Sequence, residues 1–389
     1  MTRVGIDLEQ FIADPYGSGI QRVLQQLALL WPSEGPEADF VVPAGDGFRI
    51  LEAADAAALL SMPFEVDAGD AGQLRQHVQA FLASRDRPLV GLEQVMRPLD
   101  AWLLPEVTYL PSVHQRCRQA AERMPVAMIG YDALPMTQPQ NYRFRPGTAA
   151  DVSEYFRLLV NATSVVCISD FTRNDLIDVL GRDPQAVTTV AHPGGDHELA
   201  GHEPNGPHGF AQETSIQGPM FLRVGTLEAR KSPVEIARAF HSMNGSGIHA
   251  RLVMVGRPSA SDDAINDAVA HIVDQGVGVT WIQEAGDVQI HELMQQADAF
   301  LSFGTEGYGI PVLESLAVGT PVLFGGIQPA AELMLGAGAQ RILEANDPHL
   351  DTALAEWADP DRITGLARQI DATQIPTWRD FVHGVVSVL

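Results

Sequence analysis

The sequence predicts an α/β protein made of two doubly wound domains, and three observations carry that prediction. Short continuous apolar runs alternate with longer amphipathic stretches, the pattern of buried parallel strands and their crossover helices. The alternation stops once, at 193–219, in a run rich in Gly, Pro and polar residues, and resumes after it. The length of 389 residues suits two or three domains at roughly 150 residues each.

Taken in order, RVGID (3–7) reads as the first strand and GIQRVLQQLALLW (19–31) as an amphipathic helix. FVVP (40–43), PVAMIG (125–130), SVVCIS (164–169) and VTTV (187–190) read as further strands, with DFTRNDLIDVL (170–180) as a helix between the last two. Residues 48–124 mix helix signals such as GQLRQHVQAFLAS with proline-broken segments. In the second block MFLRVGT, RLVMVG, GVTWI, DAFLSFG and TPVLFG are the strands, and SPVEIARAFHSM, DDAINDAVAHIVDQ, VQIHELMQQ and GIPVLESLAVG the helices. IPTWRDFVHGVVSVL at the end reads as an amphipathic helix after a proline. The expected division is a first domain at 1–195, a linker at 196–218, a second domain at 219–372 and a terminal helix at 373–389. Ligands of such folds sit at the carboxyl ends of the strands, here expected to face each other across a central cleft.

The charge narrows the partners. There are 25 basic against 49 acidic residues, a formal −24. Nucleic-acid binding depends on cations that neutralise phosphates, so this balance argues against it. Arg116, Arg118 and Arg123, and the pair Arg143 and Arg145, read as solvated faces; an anionic acceptor or a lipid head group is the alternative occupant. Cys117 and Cys167 show neither disulfide-framework nor metal spacing, and Cys167 falls in an apolar run. MTRVGIDLEQ has no apolar leader region and no window holds the ~20 apolar residues of a membrane helix. A cytoplasmic location is expected, with at most peripheral membrane contact. One count stands out: 24 of the 25 basic residues are arginine, and Lys231 is the single lysine.

Three glycine-marked turns carry the chemistry. In Glu306-Gly-Tyr-Gly-Ile-Pro-Val-Leu-Glu314, an apolar strand enters a turn at Gly307 and Gly309, and a helix starts near Pro311, as proline favours. Free N–H groups at the helix start make an anion site, while Glu306 and Glu314 are placed to accept hydrogen bonds from hydroxyls. A ligand with both phosphate and hydroxyls is a sugar nucleotide. In Gly225-Thr-Leu-Glu-Ala-Arg230-Lys231, adjacent guanidinium and ammonium groups at a strand's end can hold a diphosphate. Gly17-Ser18-Gly19, after the first strand, is a further anion site or simply a tight turn.

These residues resemble the retaining glycosyltransferase family 4, whose fold is GT-B, with two Rossmann-like domains. The matching segments are the E-x7-E element EGYGIPVLE with SLAVGTPVLFGG after it, VGTLEARKSP, QADAFLSFG, SVVCISDFTRNDL and GSGIQR. The resemblance implies that Glu306 bonds hydroxyls of the donor sugar and Glu314 the ribose hydroxyls. It implies that Gly307, Tyr308 and Gly309 meet the donor's sugar and phosphates, and that Lys231 with Arg230 neutralises the diphosphate. Gly17, Ser18 and Gly19 would face the reaction centre from the first domain, and the helix at Trp378 would cross back onto that domain. Two positions depart from the family. Thr226 stands at the donor strand's end where many members carry Arg, which leaves Arg230 or Arg22 as the second cation. Tyr131-Asp132 stands where many carry His-Asp, whose histidine lies close to the transferred sugar, so either the Tyr131 phenol takes that histidine's place or this role is not carried over.

The implied function is metal-independent transfer of a sugar, with retention, from a nucleoside-diphosphate sugar to a hydroxyl of a glycan, glycolipid or small molecule. No further cofactor and no metal site is implied, since Arg and Lys take the metal's role and no His cluster with metal spacing occurs. Two other readings remain: a sugar-nucleotide epimerase of the same fold, which the intact E-x7-E element disfavours, and a non-catalytic sugar-nucleotide-binding protein.

Overall fold

The computed structural model describes residues 2–65, 71–85, 87–142, 147–196 and 217–389. Two compact units emerge from it. Unit 1 comprises 1–139, 143–194 and 377–389, and unit 2 comprises 140–142 and 195–376. Most of the expected linker, 197–216, and the pair Arg143 and Arg145 lie outside the described residues.

Unit 1 holds a seven-stranded sheet of β1 (Arg3–Asp7), β2 (Glu37–Ala44), β3 (Gly47–Leu51), β4 (Ala101–Leu104), β5 (Val126–Gly130), β6 (Ser164–Cys167) and β7 (Val187–Val190). Their order is β3-β2-β1-β4-β5-β6-β7. All neighbours are parallel except β2 and β3, an antiparallel hairpin closed at Ala44 and Gly47. The first strand is buried on both faces, with Val4 and Ile6 both 0 % exposed, which is why it reads as a continuous apolar run.

The stretch 48–124 resolves into β3, helices at Ala53–Glu65, Ala71–Ser84, Leu92–Met96 and Pro111–Ala121, and the four-residue β4. Arg116, read as solvated, is buried instead. Its guanidinium grips both oxygens of Asp7 at 2.6 and 2.9 Å and pairs with Glu9 at 2.7 Å. A buried guanidinium keeps its charge only where such carboxylates meet it. The run 170–180 is not one regular helix: an α-turn at Asp170–Asn174 passes into a π-turn at Asp175–Val179. The last segment packs within unit 1 as the helix Trp378–Val386, burying Trp378, Phe381, Val382 and Val385. Its His383 reaches Glu34, at the end of the helix Gly19–Glu34, at 2.7 Å.

Unit 2 holds a six-stranded, all-parallel sheet in the order β10-β9-β8-β11-β12-β13. The strands are β8 (Met220–Val224), β9 (Arg251–Val255), β10 (Val279–Ile282), β11 (Ala299–Thr305), β12 (Val322–Ile327) and the short edge strand β13 (Ala339–Arg341). One face packs Phe221, Leu301 and Phe303 against the helix Pro233–Gly245 through Ile236, Ala237 and Phe240. Strand order reverses between β8 and β11 here and between β1 and β4 in unit 1. Such reversals open a crevice at the carboxyl ends of the strands. Both cysteines are buried. Among the described residues, no helix is long and apolar enough to cross a membrane.

Candidate functional site

At the reversal in unit 2, the chain leaves β8 at Gly225 and turns through a 3₁₀ segment at Ala229–Lys231. Ser232 then enters the helix Pro233–Gly245 with φ 51° and ψ 45°, a left-handed conformation that costs a non-glycine residue energy. Among the described residues it is the one non-glycine with positive φ. Gly304 on β11 makes the neighbouring approach feasible. A Cβ there would stand 1.8 Å from the Arg230 carbonyl oxygen, and φ at Gly304 is +88°. The 3₁₀ segment can therefore lie directly on β11.

That approach delivers two cations to one carboxylate. Lys231 Nζ lies 2.8 Å from Glu306 Oε1. Arg230 Nη1 donates to Glu306 Oε2 at 2.7 Å and to the Thr305 carbonyl at 2.7 Å, while its Nη2 pairs with Glu228 at 2.6 Å. Burial by itself would raise the Glu306 carboxyl, but the Lys231 and Arg230 charges outweigh it and hold the group at about 2. Glu306 is therefore ionised at any working pH and accepts hydrogen bonds without donating any. For Arg230, burial opposes the charge, and Glu306 and Glu228 more than restore it, raising its pKa.

Beneath this group lies a residue that sequence reasoning misses. Arg223 on β8 is 3 % exposed. Its Nη1 donates to the Gly225 carbonyl at 3.0 Å, and its buried Nη2 has no hydrogen-bond partner among the described residues. Burial lowers its pKa to about 10, so it remains charged at neutral pH. Three cations, Arg223, Arg230 and Lys231, against two carboxylates, Glu228 and Glu306, leave the cluster formally at +1. The one signal in sequence is an arginine inside an apolar strand, FLRVG.

After Glu306 come Gly307 and Tyr308, both buried; burial raises the Tyr308 phenol well above its ordinary range. Gly309, at φ +107°, caps the helix Ile310–Ala317, with proline in its first turn. Glu314 stands on that helix, partly exposed. The turn is held by fully buried Gln328, which accepts from Ser302 Oγ at 2.7 Å and donates to the Gly304 carbonyl at 3.2 Å. Thr226 is partly exposed beside Gly225, where a Cβ would stand 3.2 Å from Lys231 Nζ.

In unit 1, Gly17 has φ +68°, and Ser18 caps the helix Gly19–Glu34 by accepting from the Gln21 N–H at 3.2 Å. Arg22, the alternative second cation, lies over the Phe64 ring at 3.7 Å and donates to Gln25 at 2.7 Å. Tyr131 is 4 % exposed, and its hydroxyl donates to the Pro105 carbonyl at 2.7 Å. The structure thus gathers Arg230, Lys231 and Glu306 at one point, and turns the Tyr131 phenol inward. Among the described residues no group of three or more His, Cys, Asp or Glu is arranged to hold a metal ion.

Two largely parallel sheets that each reverse strand order, carried on one chain, define a GT-B fold, and solved structures of that fold match nearly the whole chain. The structure of Anabaena Alr3699/HepE in complex with UDP and glucose superposes with a TM-score of 0.62 at 15% identity, covering 100% of this chain and 95% of that one. WaaG, a glycosyltransferase involved in lipopolysaccharide biosynthesis, gives 0.60 at 17% identity, covering 96% and 97%. At such identities the likeness is one of fold. Residues 210–356 match the sequence model of the family Glycosyl transferases group 1.

Among relatives, the serotype-specific mannosyltransferase WbdA of Escherichia coli is 25% identical over 267 residues, 66% of this chain. The match spans 31% of that relative's length. A D-inositol 3-phosphate glycosyltransferase of Kineococcus radiotolerans is 28% identical over 318 residues, covering 77% of this chain and 68% of that one.

Proposed function

We propose that the protein transfers a sugar from a nucleoside-diphosphate sugar to an acceptor hydroxyl, with retention at the anomeric carbon and with arginine and lysine in place of a metal ion. The observation that carries this reading is the Lys231–Glu306–Arg230 cluster at the strand-order reversal. It lies inside the segment that matches the group 1 family. The relatives' names as mannosyltransferase and glycosyltransferase, and the UDP-glucose bound in a HepE structure, support the substrate class.

In this reading the diphosphate lies against Lys231 and Arg230, with the amides of Gly307, Tyr308 and Gly309 and the side chain of Thr226 along the donor. Glu306 accepts hydrogen bonds from donor-sugar hydroxyls and Glu314 from ribose hydroxyls. The anomeric carbon–phosphate oxygen bond breaks as the acceptor oxygen bonds the same face, and the acceptor proton passes to the departing diphosphate. Negative charge grows on that diphosphate during the step, and fixed cations placed beforehand lower its energy most there. The Gly17–Ser18–Gly19 loop supports the reaction from unit 1. Tyr131 acts behind it through the Pro105 carbonyl rather than with an exposed phenol. The acceptor is a glycan, a glycolipid or a small molecule, and the protein works in the cytoplasm.

The test is a thermal-shift series with UDP, GDP and dTDP and their sugar conjugates. A ligand at 100 times its Kd stabilises by about 2.7 kcal/mol, a readily measured shift. One base should stand out, and its sugar conjugate should then be consumed with release of the diphosphate when acceptors are supplied. Absence of a shift with every nucleotide would overturn the reading. Conversion of the sugar nucleotide without acceptor would favour an epimerase.

A further inference from the structure

Gln21, one turn into the helix Gly19–Glu34, is 4 % exposed, and its carboxamide uses all of its main bonding positions. Its oxygen accepts from the backbone N–H of Tyr16 at 2.7 Å and of Gly17 at 3.0 Å. Its nitrogen donates to the Asp14 carbonyl at 2.9 Å and reaches Glu106 Oε1 at 3.5 Å. One side chain thus ties down three backbone positions of the loop between β1 and the helix. The loop has no ladder of its own to satisfy these groups, and a buried backbone group left unpaired is costly.

Behind Gln21 stands Glu106, just past the end of β4 and 2 % exposed. Its Oε2 is buried without a hydrogen-bond partner among the described residues. Burial raises the Glu106 carboxyl to about 8, so at neutral pH it is mostly a neutral acid and does not force a charge into the core. The residue before it, Pro105, is the one whose carbonyl receives the Tyr131 hydroxyl. Tyr131, Pro105–Glu106 and Gln21 therefore form a continuous buried support running from the end of β5, past the end of β4, to the Gly17 loop. No motif in the sequence links these residues, and the group 1 family match does not reach them.

We propose that Gln21 and Glu106 are positioning residues for sugar transfer, a buried carboxamide backed by a carboxyl that holds the Asp14–Gly19 loop in its working conformation without touching substrate. The inference rests on the function proposed above, and it deepens the role of that loop. Loop misplacement of the order of 1 Å can cost about 10²-fold in rate, so the effect belongs in kcat. Nucleotide affinity belongs to unit 2 and should not move.

The experiment measures three things in each variant of the full chain: hydrogen exchange of the amides in 14–19, affinity for the nucleoside diphosphate, and kcat with KM for transfer. In Gln21→Leu, exchange in that segment should accelerate roughly 10- to 30-fold, the equivalent of two lost hydrogen bonds. Turnover should fall about 10- to 100-fold while nucleotide affinity stays within roughly twofold. Gln21→Glu removes the two donors but keeps the two acceptor contacts, and should loosen the loop in the same direction; it carries the test if Gln21→Leu does not fold. Adding Glu106→Gln to Gln21→Glu returns a donor from the other side, and should recover both protection and turnover, a coupling that a merely structural residue would not show. Unchanged exchange in 14–19, or faster exchange with unchanged kcat, would overturn the inference. A wild type that transfers no sugar with any donor would instead remove the functional reading, and the exchange data would still report on the support itself.

Discussion

The Lys231 ammonium stands 2.8 Å from a carboxylate oxygen of Glu306, and this pair joins the ends of β8 and β11, the adjacent strands at which the sheet of unit 2 reverses order. Arg230 holds the other oxygen of the same carboxylate. The two cations and the carboxylate between them are therefore already ordered against each other in the structure. In the proposed reaction, such preorganisation would spare the cost of arranging them during the step.

Lys231→Ala is expected to lower turnover by roughly 10²–10³-fold, the range for removing one preorganised donor of positive charge. Lys231→Arg is the sharper substitution. A planar guanidinium replaces a compact point charge at a place where the ammonium already lies against Gly225. Arginine should preserve nucleotide binding better than turnover. Near-normal transfer by the alanine variant in a steady-state assay would remove Lys231 from the mechanism.

Glu306→Gln should damage use of the donor sugar more than affinity for the free nucleotide, because the amide keeps its shape but loses the charge that orders Lys231 and Arg230. Equal losses of both, measured by kinetics and by calorimetry, would contradict the role of Glu306 as a sugar-hydroxyl acceptor. The same variant has a stability signature. The native carboxyl lies at about 2, against an ordinary value of 4.5. Its contribution, about 3 kcal/mol, is therefore present above pH ~4.5 and fades as pH falls toward 2. Between pH 5.5 and pH 3.5 the wild type should lose about 1 kcal/mol more than Glu306→Gln in denaturant titrations.

Glu106 has the opposite sign. Its carboxyl is raised from 4.5 to about 8 by burial, with Gln21 and the Phe11 backbone opposing the rise and Asp7 and Asp14 adding to it. The folded state therefore holds a proton that the unfolded chain releases, and stability falls as pH rises from ~4.5 to ~8. Glu106→Gln abolishes that slope, so its stability relative to wild type should improve by up to about 3 kcal/mol between pH 5 and pH 8. Parallel melting curves for the two proteins across that range would refute the assignment.

Gly304→Ala tests the close approach that builds the site. The added Cβ would stand 1.8 Å from the Arg230 carbonyl, at φ +88°. Overpacking and left-handed strain together should cost about 2–4 kcal/mol and displace Arg230 and Lys231. Gly319→Ala is the control, since it has φ +90° with nothing within 4 Å. It should show the backbone strain alone, about 1–2 kcal/mol. Equal melting temperatures for the two variants would deny the contact its importance.

Apart from β13 (AQR), a three-residue edge strand with no apolar run to mark it, the strands of unit 2 and most of those of unit 1 are legible because each is an apolar run of four or more residues bounded by Gly, Pro or polar residues. β3 and β4 are not. β3 (GFRIL) is an edge strand with an arginine in it, and β4 (AWLL) is four residues between prolines at 98 and 105. Neither length nor period separates such a piece from a loop. Arg116 misleads for a related reason: a charged residue on an amphipathic helix reads as solvated unless its buried partners, Asp7 and Glu9, are known.

The sequence by itself determined the α/β alternation, the glycine turns at 17–19, 225 and 307–309, and the singular place of Lys231, because each is local in the chain. Only the tertiary structure decided that Lys231 and Arg230 share the carboxylate of Glu306, that Arg223 lies buried beneath them, and that the Tyr131 phenol turns inward to Pro105. Those facts depend on which strand ends become neighbours in the sheet and how closely their turns approach. Residue spacing along a chain carries no record of that distance.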